Sequence, residues 1–406
     1  MLLGVRIRNF DVFDDDKIGM MLEDSEIASK DPSVRDISIR MRNLNALIGR
    51  NNTGKTSFLM AMSFLKRCII SDVASASKAD GRPGFTNLLI DKEQPASFDL
   101  FFKFKEKKTG NVTYMQYELE LSRNKFGSPV ISSEKLIRSV RRDAGFERQF
   151  IMNLQYGKGS AVDSKGQESE AEITNEHQTA LSIYGRLGQF PLIAGVFREI
   201  ERWFFCAFST DDISSYYNDG NAPGGHRHLN SHGSNVSNVL EYMKMTDGEG
   251  YERIISEIKS AIPEMKKKKR LPENLASSPD KLFLYLLLLR DPDPHSTIFI
   301  ETPDKDLYHD MVDVLADEMR EFTMRNPLSQ IIFSTHNPYI IESMNPREIW
   351  VFERDFGSEE DDSVNIRCAG SDEVVNALFK RGVGMGAIWY GGHLDSDIEY
   401  DDPAGQ

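Results

Sequence analysis

The sequence predicts an α/β fold, and three observations carry that prediction. Short, mainly apolar segments such as residues 44–48, 297–300 and 330–333 stand apart from one another, as strands buried on both faces do. Longer segments with apolar residues three or four apart lie between them, as covering helices do. One of the apolar segments runs directly into Gly49, and from Thr56 the period changes to that of a helix.

Taken in order, Leu3, Val5 and Ile7 alternate with Gly4, Arg6 and Arg8 and predict a first strand. Ile37, Ile39 and Met41, alternating with Ser38 and Arg40, predict a second. Residues 44–48 form a third, and Phe58, Leu59, Met62, Leu65 and Ile69 mark one face of the following helix. Residues 71–86, rich in Ser, Ala, Gly and Asp, read as a loop. Alternation returns over 97–123 through Phe98, Leu100, Phe102, Phe104, Tyr114, Tyr117, Leu119 and Leu121, predicting an antiparallel hairpin or meander. Residues 157–176 are polar and expected to be mobile, and 179–208 read as helical and aromatic. A loop over 211–237 holds His226, His228 and His232 and leads to helices near 236–245 and 252–261.

The last third returns to the α/β pattern. An apolar helix over 282–289, a strand at 297–300, an amphipathic helix at 310–322 and strands at 330–333 and 349–352 follow one another. The chain is therefore expected to divide into an N-terminal half of one α/β head (1–124), an inserted, mainly helical arm with mobile loops (125–272), the C-terminal half of the head (273–394) and an acidic tail (395–406).

Composition narrows the class. With 406 residues, 49 Lys plus Arg and 63 Asp plus Glu, the formal charge is −14, which argues against a surface that grips nucleic acid everywhere. The basic run Lys266-Lys267-Lys268-Lys269-Arg270 is the one local candidate, and such runs are more often a solvated helix end or loop. Hydrophobic content of 40% and charged content of 28% exclude wholesale disorder. The apolar run 282–289 is far too short to span a bilayer, and Arg6 sits where a signal peptide needs apolar residues. Three widely spaced cysteines, Cys68, Cys206 and Cys368, give neither a disulfide framework nor a zinc knuckle. A cytoplasmic protein without a membrane segment is expected.

The motif that carries chemistry is Gly49-Arg50-Asn51-Asn52-Thr53-Gly54-Lys55-Thr56, followed by Ser57. It matches G-x-x-x-x-G-K-[ST] between a predicted strand and a predicted helix. The glycines let backbone N–H groups close around phosphates, and the helix N-terminus adds positive potential. Lys55 is expected to reach the β- and γ-phosphates of ATP, and the Thr56 hydroxyl to bind Mg²⁺. Such a loop needs an acid at the end of another buried strand to hold the Mg²⁺ shell, and Glu301, after Ile298-Phe299-Ile300, supplies one. After the next strand comes Ser334-Thr335-His336-Asn337-Pro338, where His336 is a candidate γ-phosphate sensor. A lone histidine in a turn is otherwise usually structural.

These pieces, in this order, resemble the SMC/RecF-like branch of ABC-type ATPases, and more closely the bacterial family that includes the ATPase half of the overcoming-lysogenization-defect (OLD) nucleases. The resemblance also takes in Gly225-His226-Arg227-His228-Leu229, the helix near 281–291, the segment 300–307 and Ile388-Trp389-Tyr390-Gly391-Gly392. It implies an ABC-ATPase-like P-loop NTPase head with an inserted helical and β arm, and head-to-head dimers that sandwich two nucleotides. The family reads I-[DE]-E-P-E after its acidic strand, where the second acid polarises the attacking water. Here Thr302 occupies that general-base position, and threonine has no basic form near pH 7. Asp304 or Asp306 is a substitute only if the loop re-aims it. The family's Ser-x-Gly signature is also worn. One register places Ala276 and Ser278 at its two positions, the other Ser277 and Pro279, and neither holds glycine.

The resemblance thus implies an ATP-binding, hydrolysis-impaired subunit of a bacterial nucleic-acid-associated complex. Antiphage defence is the expected setting, with the chain a nucleotide-clamped scaffold or sensor for a separate effector nuclease. Assembly is expected as a homodimer or higher oligomer through the heads, with DNA or RNA as a further partner. An active RecF-type repair ATPase and a nucleotide-gated toxin regulator are the alternatives. OLD proteins carry a nuclease domain after the ATPase; the stretch after His336 is too short for one, so the acidic run 395–402 is expected to be a solvated tail. The loop histidines match no usual zinc spacing, so a polar loop is expected there. Trp203, Phe204, Phe205 and Phe208 are expected in the core and not as a base-stacking platform.

Overall fold

The computed structural model describes residues 1–24, 39–105, 112–142, 145–208, 227–265, 277–354 and 363–394. β1 (Leu2–Phe10) and β2 (Phe13–Gly19) form a hairpin, and β3 (Leu44–Ile48) leads through the glycine loop into α1 (Lys55–Ile70). A meander follows: β4 (Ala96–Lys105), β5 (Val112–Arg123), β6 (Pro129–Arg142), β7 (Gly145–Gln155), β8 (Lys158–Val162) and β9 (Glu168–Glu172). Next come α2 (Pro191–Glu201), β10 (Trp203–Cys206), α3 (Val236–Thr246) and α4 (Gly248–Ala261). The chain continues with α5 (Ser278–Leu289), β11 (Thr297–Glu301), α6 (His309–Arg325), β12 (Gln330–Ser334) and β13 (Ile349–Arg354). β14 (Val364–Cys368), α7 (Glu373–Lys380) and α8 (Met385–Tyr390) close it.

The strands form two sheets. An eight-stranded antiparallel sheet has the order β2-β1-β4-β5-β6-β7-β8-β9, and a six-stranded sheet has the order β10-β11-β12-β3-β13-β14. In the second sheet β10, β11, β12, β3 and β13 are parallel, and only the edge strand β14 runs the other way. Alternate residues of each parallel strand enter different cores. Leu47, Phe299, Ile332, Trp350 and Phe352 join α1 and the antiparallel sheet, while Ala46, Ile48, Ile298, Ile300, Ile331 and Phe333 meet the helices on the other face. Burial on both faces is why these strands are mainly apolar. The mixed α/β architecture, with a phosphate-type loop on the central strand of a parallel sheet, is that of P-loop nucleotide-binding domains.

Several expectations differ from the structure. The second strand is Phe13–Gly19 and not a segment through Ile39 and Met41, which belong to no strand although Met41 N–H donates to Leu3 O at 2.9 Å; Ile37 falls outside the described residues. Phe13-Asp14-Asp15-Asp16-Lys17-Ile18 hides an edge strand because its outer side carries charge, a common protection for sheet edges. Residues 157–176, expected to be polar and mobile, hold β8 and β9; β8 is short and mostly small residues, and the exposed Glu168, Glu170 and Glu172 of β9 mask its alternation. Trp203 to Cys206, expected as helix, form the edge strand β10 of the parallel sheet, since a short run buried on both faces cannot be told from helix by period.

The interior of 125–272 is accordingly not mainly helical. β6 to β9 extend the antiparallel sheet, β10 belongs to the parallel one, and the α-helices among the described residues are a short one at Ala180–Tyr184 and α2, α3 and α4. The basic run 266–270 and the tail 395–406 lie outside the described residues. Cys68, Cys206 and Cys368 are buried free thiols. No helix of the described residues is long and apolar enough to cross a membrane.

Candidate functional site

The site is built at the C-terminal end of the parallel sheet. Register places Glu301 beside Ser334 and Ser334 beside Leu47, so three strand ends and the loop after β3 converge. Ligands of α/β sheets bind at this edge because the strand-to-helix turns meet there.

The loop depends on its two glycines. Gly49 has φ +139°, and a Cβ there would lie 2.1 Å from the carbonyl oxygen of Phe352. Gly54, at φ +100°, is the residue from which α1 starts, and its approach to Val12 and Val364 leaves no room for a larger side chain without rearrangement. Asn52 also adopts positive φ, at 64°, a conformation that asparagine tolerates. Lys55, the first residue of α1, is buried and folds back over the loop. Its Nζ donates to Gly49 O at 2.9 Å, Arg50 O at 2.5 Å and Thr53 Oγ1 at 3.3 Å. Burial pulls its pKa down to about 8.

Thr56 and Glu301 come from elements 245 residues apart, yet the threonine Oγ1 donates to the glutamate Oε1 at 2.5 Å. Two hard oxygen donors at the mouth of a phosphate loop fit the shell of Mg²⁺, which favours carboxylate and hydroxyl or water oxygen. A cavity of about 550 Å³ opens over the loop. His336 lines it together with residues 51–57, and burial and the Lys55 charge hold the imidazole below its ordinary pKa. Two further lining residues have no local sequence signal: Val12, in the turn between β1 and β2, and Arg354, at the end of β13, whose guanidinium donates to Asn52 O at 3.4 Å.

The segment after β11 is arranged differently. Thr302 sits at φ +41°, with its N–H donating to Ser334 O at 3.1 Å and Ser334 Oγ at 3.2 Å. Neither Thr302, Asp304 nor Asp306 lines the cavity over the loop. Asp304 accepts from Thr335 Oγ1 at 2.7 Å, and burial raises its carboxyl pKa. Asp306 lies 3.9 Å from the buried ammonium of Lys281, which also donates to Lys305 O at 2.6 Å. Both aspartates are thus held by neighbouring elements.

Ser277 and Ser278 open α5 and do not line the cavity either; Ser277 Oγ donates to Asp280 Oδ2 at 2.6 Å. Ala276 falls outside the described residues. The fold therefore brings together Gly49 to Ser57, Glu301 and His336, and leaves the two serines elsewhere on the chain's surface.

A family model described as "AAA domain, putative AbiEii toxin, Type IV TA system" matches residues 203–342. No curated protein matches the chain. Among solved structures, an SMC head bound to the C-terminal winged-helix domain of ScpA is 12% identical, covering 90% of this chain and 97% of its own, with a TM-score of 0.48. The SMC head domain from Thermotoga maritima is 13% identical, covering 90% and 98%, with a TM-score of 0.39. An Smc head with an extended coiled coil, bound to the C-terminal domain of ScpA derived from Pyrococcus furiosus, is 11% identical, covering 94% and 99%, with a TM-score of 0.43. The strand order and the loop, not these similarities, assign the fold.

Proposed function

We propose that this chain binds ATP with Mg²⁺ and hydrolyses it slowly, so that the bound nucleotide works as a clamp for assembly. The observation that carries the reading is the Thr56–Glu301 contact at 2.5 Å, which completes the Mg²⁺-side oxygen pair beside the loop while the next position, Thr302, has no base to offer. In this reading the N–H groups of the loop and Lys55 hold the β- and γ-phosphates, and His336 faces the terminal phosphate from the end of β12. Mg²⁺, when bound, neutralises phosphate charge between Thr56 and Glu301. A missing general base typically costs about 10²–10⁴-fold in rate.

Head-to-head association would bring Ser277 and Ser278 of one copy toward the nucleotide of another, which is the role the family resemblance assigns them. The wider setting proposed is a bacterial, nucleic-acid-associated defence complex in which a separate nuclease is the effector. A second reading, a nucleotide-gated regulator of a toxin, is supported by the toxin–antitoxin wording of the matching family description.

The test is MgATP binding and single-turnover hydrolysis by the full chain, beside Lys55→Ala and Thr302→Glu. The expected outcome is Mg²⁺-dependent binding that Lys55→Ala abolishes, with negligible turnover that Thr302→Glu raises. Brisk hydrolysis by the parent chain would overturn the clamp and favour an active RecF-type ATPase. Binding that survives Lys55→Ala would remove the phosphate loop from the reading altogether.

A further inference from the structure

A second cluster lies at the N-terminal end of the parallel sheet, the edge away from the phosphate loop. Asp291 follows the end of α5, His295 precedes β11, and His228 lies in the segment leading to α3. His228 Nδ1 is 2.6 Å from Asp291 Oδ2, and the His228 and His295 rings are 5.2 Å apart at their centroids. One ligand atom from each of the three side chains lies within 4.8 Å of the other two. His295 stacks on Phe204 at 4.6 Å, and its Nε2 is buried with no hydrogen-bond partner among the described residues. A buried ring nitrogen left unpaired calls for an explanation.

We propose that His228, Asp291 and His295 form a zinc site that pins the segment before α3 to the turn between α5 and β11. Two imidazole nitrogens and one carboxylate oxygen are a donor set that Zn²⁺ accepts, with water completing the tetrahedron. The ion takes the place of the proton that His228 and Asp291 now share. Asp293 sits close by, its Oδ2 3.8 Å from His228 Nε2, but it is engaged by Arg202 and Arg227, each at 2.7 Å. That leaves Asp291 as the anionic ligand and places the two guanidinium charges on a different carboxylate.

The spacing of the loop histidines gave no zinc pattern, because two of the three ligands lie outside that loop. His228 takes its partners from the turn before β11, while His232 is not part of the cluster and His226 lies outside the described residues. The β11 strand separates it from Glu301, so its effect is on stability and not on phosphate chemistry.

The experiment uses the full chain without nucleotide, stripped with a chelator, returned to buffer and titrated with Zn²⁺ by calorimetry, with Co²⁺ absorption as a second probe. The expected result is about one Zn²⁺ per chain, tetrahedral Co²⁺ bands, and a melting temperature that rises with Zn²⁺. His228→Ala and Asp291→Asn, both at partly buried positions, should weaken binding at least about tenfold and abolish the melting shift, while His232→Ala keeps both. Circular dichroism and melting in chelator establish that the variants fold; where His295→Ala does not, the other two decide. Absence of Zn²⁺ binding by the parent, or equal binding by His228→Ala and Asp291→Asn, overturns the site. So does a loss in His232→Ala as large as in His228→Ala.

Discussion

Lys55 carries the electrostatics of the phosphate loop. Its ammonium is buried against Gly49 O, Arg50 O and Thr53 Oγ1, which soften but do not cancel the cost of desolvation, and its pKa stands near 8. A phosphate beside it favours the protonated form and raises that value. Below about pH 8 the free chain already carries the proton, so affinity for MgATP should be flat. Above it, binding must take up a proton, and affinity should fall toward tenfold per pH unit until the bound-state pKa is reached. Calorimetry of MgATP at several pH values between 7 and 10 checks this, and constant affinity over that range would separate Lys55 from the phosphates. The loop residues were legible because their spacing is itself the chemistry. Arg354 and Val12 were not, because each reaches the cavity from a strand end far away in sequence.

Among the elements, the turn after β11 stands out. Thr302 is a β-branched residue at φ +41°, where a Cβ crowds the backbone and each residue costs about 1–2 kcal/mol relative to glycine. Thr302→Gly should therefore raise stability by roughly 1 kcal/mol, read as a higher denaturation midpoint at unchanged m-value. A lower midpoint would mean that the threonine side chain holds the turn. The backbone N–H of this residue, bonded to Ser334, carries the β11–β12 pairing one residue past Glu301, toward the loop that holds His336. Element type was legible where amphipathic period was strong, as in α1 and α6, and where a continuous apolar run was long, as in α5. It failed at β10, where burial on both faces erases period, at β2 and β9, where charge on the exposed side hides it, and at β8, which is short and made mostly of small residues.

At the scale of the molecule, a buried glutamine joins the sheets. Gln330, at the start of β12, accepts from Leu2 N at 2.6 Å and donates to Leu2 O at 2.8 Å and Arg42 O at 2.9 Å. Its amide thus ties the first strand of the antiparallel sheet to the parallel sheet and to the segment entering β3. Gln330→Leu keeps much of the volume but strands three backbone groups, and should cost at least about 2 kcal/mol in chemical denaturation. A loss below 0.5 kcal/mol, on the order of a neutral surface change, would show that water or rearranged backbone replaces the amide.

By itself the sequence determined the α/β class, the strand–loop–helix around Lys55, the acid at Glu301 and the threonine at position 302, because each is a local pattern of residue type and spacing. Tertiary structure alone decided that β6 to β9 lengthen an antiparallel sheet, that Trp203 to Cys206 form a sheet edge, that Asp304 turns to Thr335, and that His228 meets Asp291 and His295. Those facts depend on strand order and on contacts between residues tens to hundreds of positions apart. Such contacts are chosen by packing of the whole chain, and local periodicity carries no record of them.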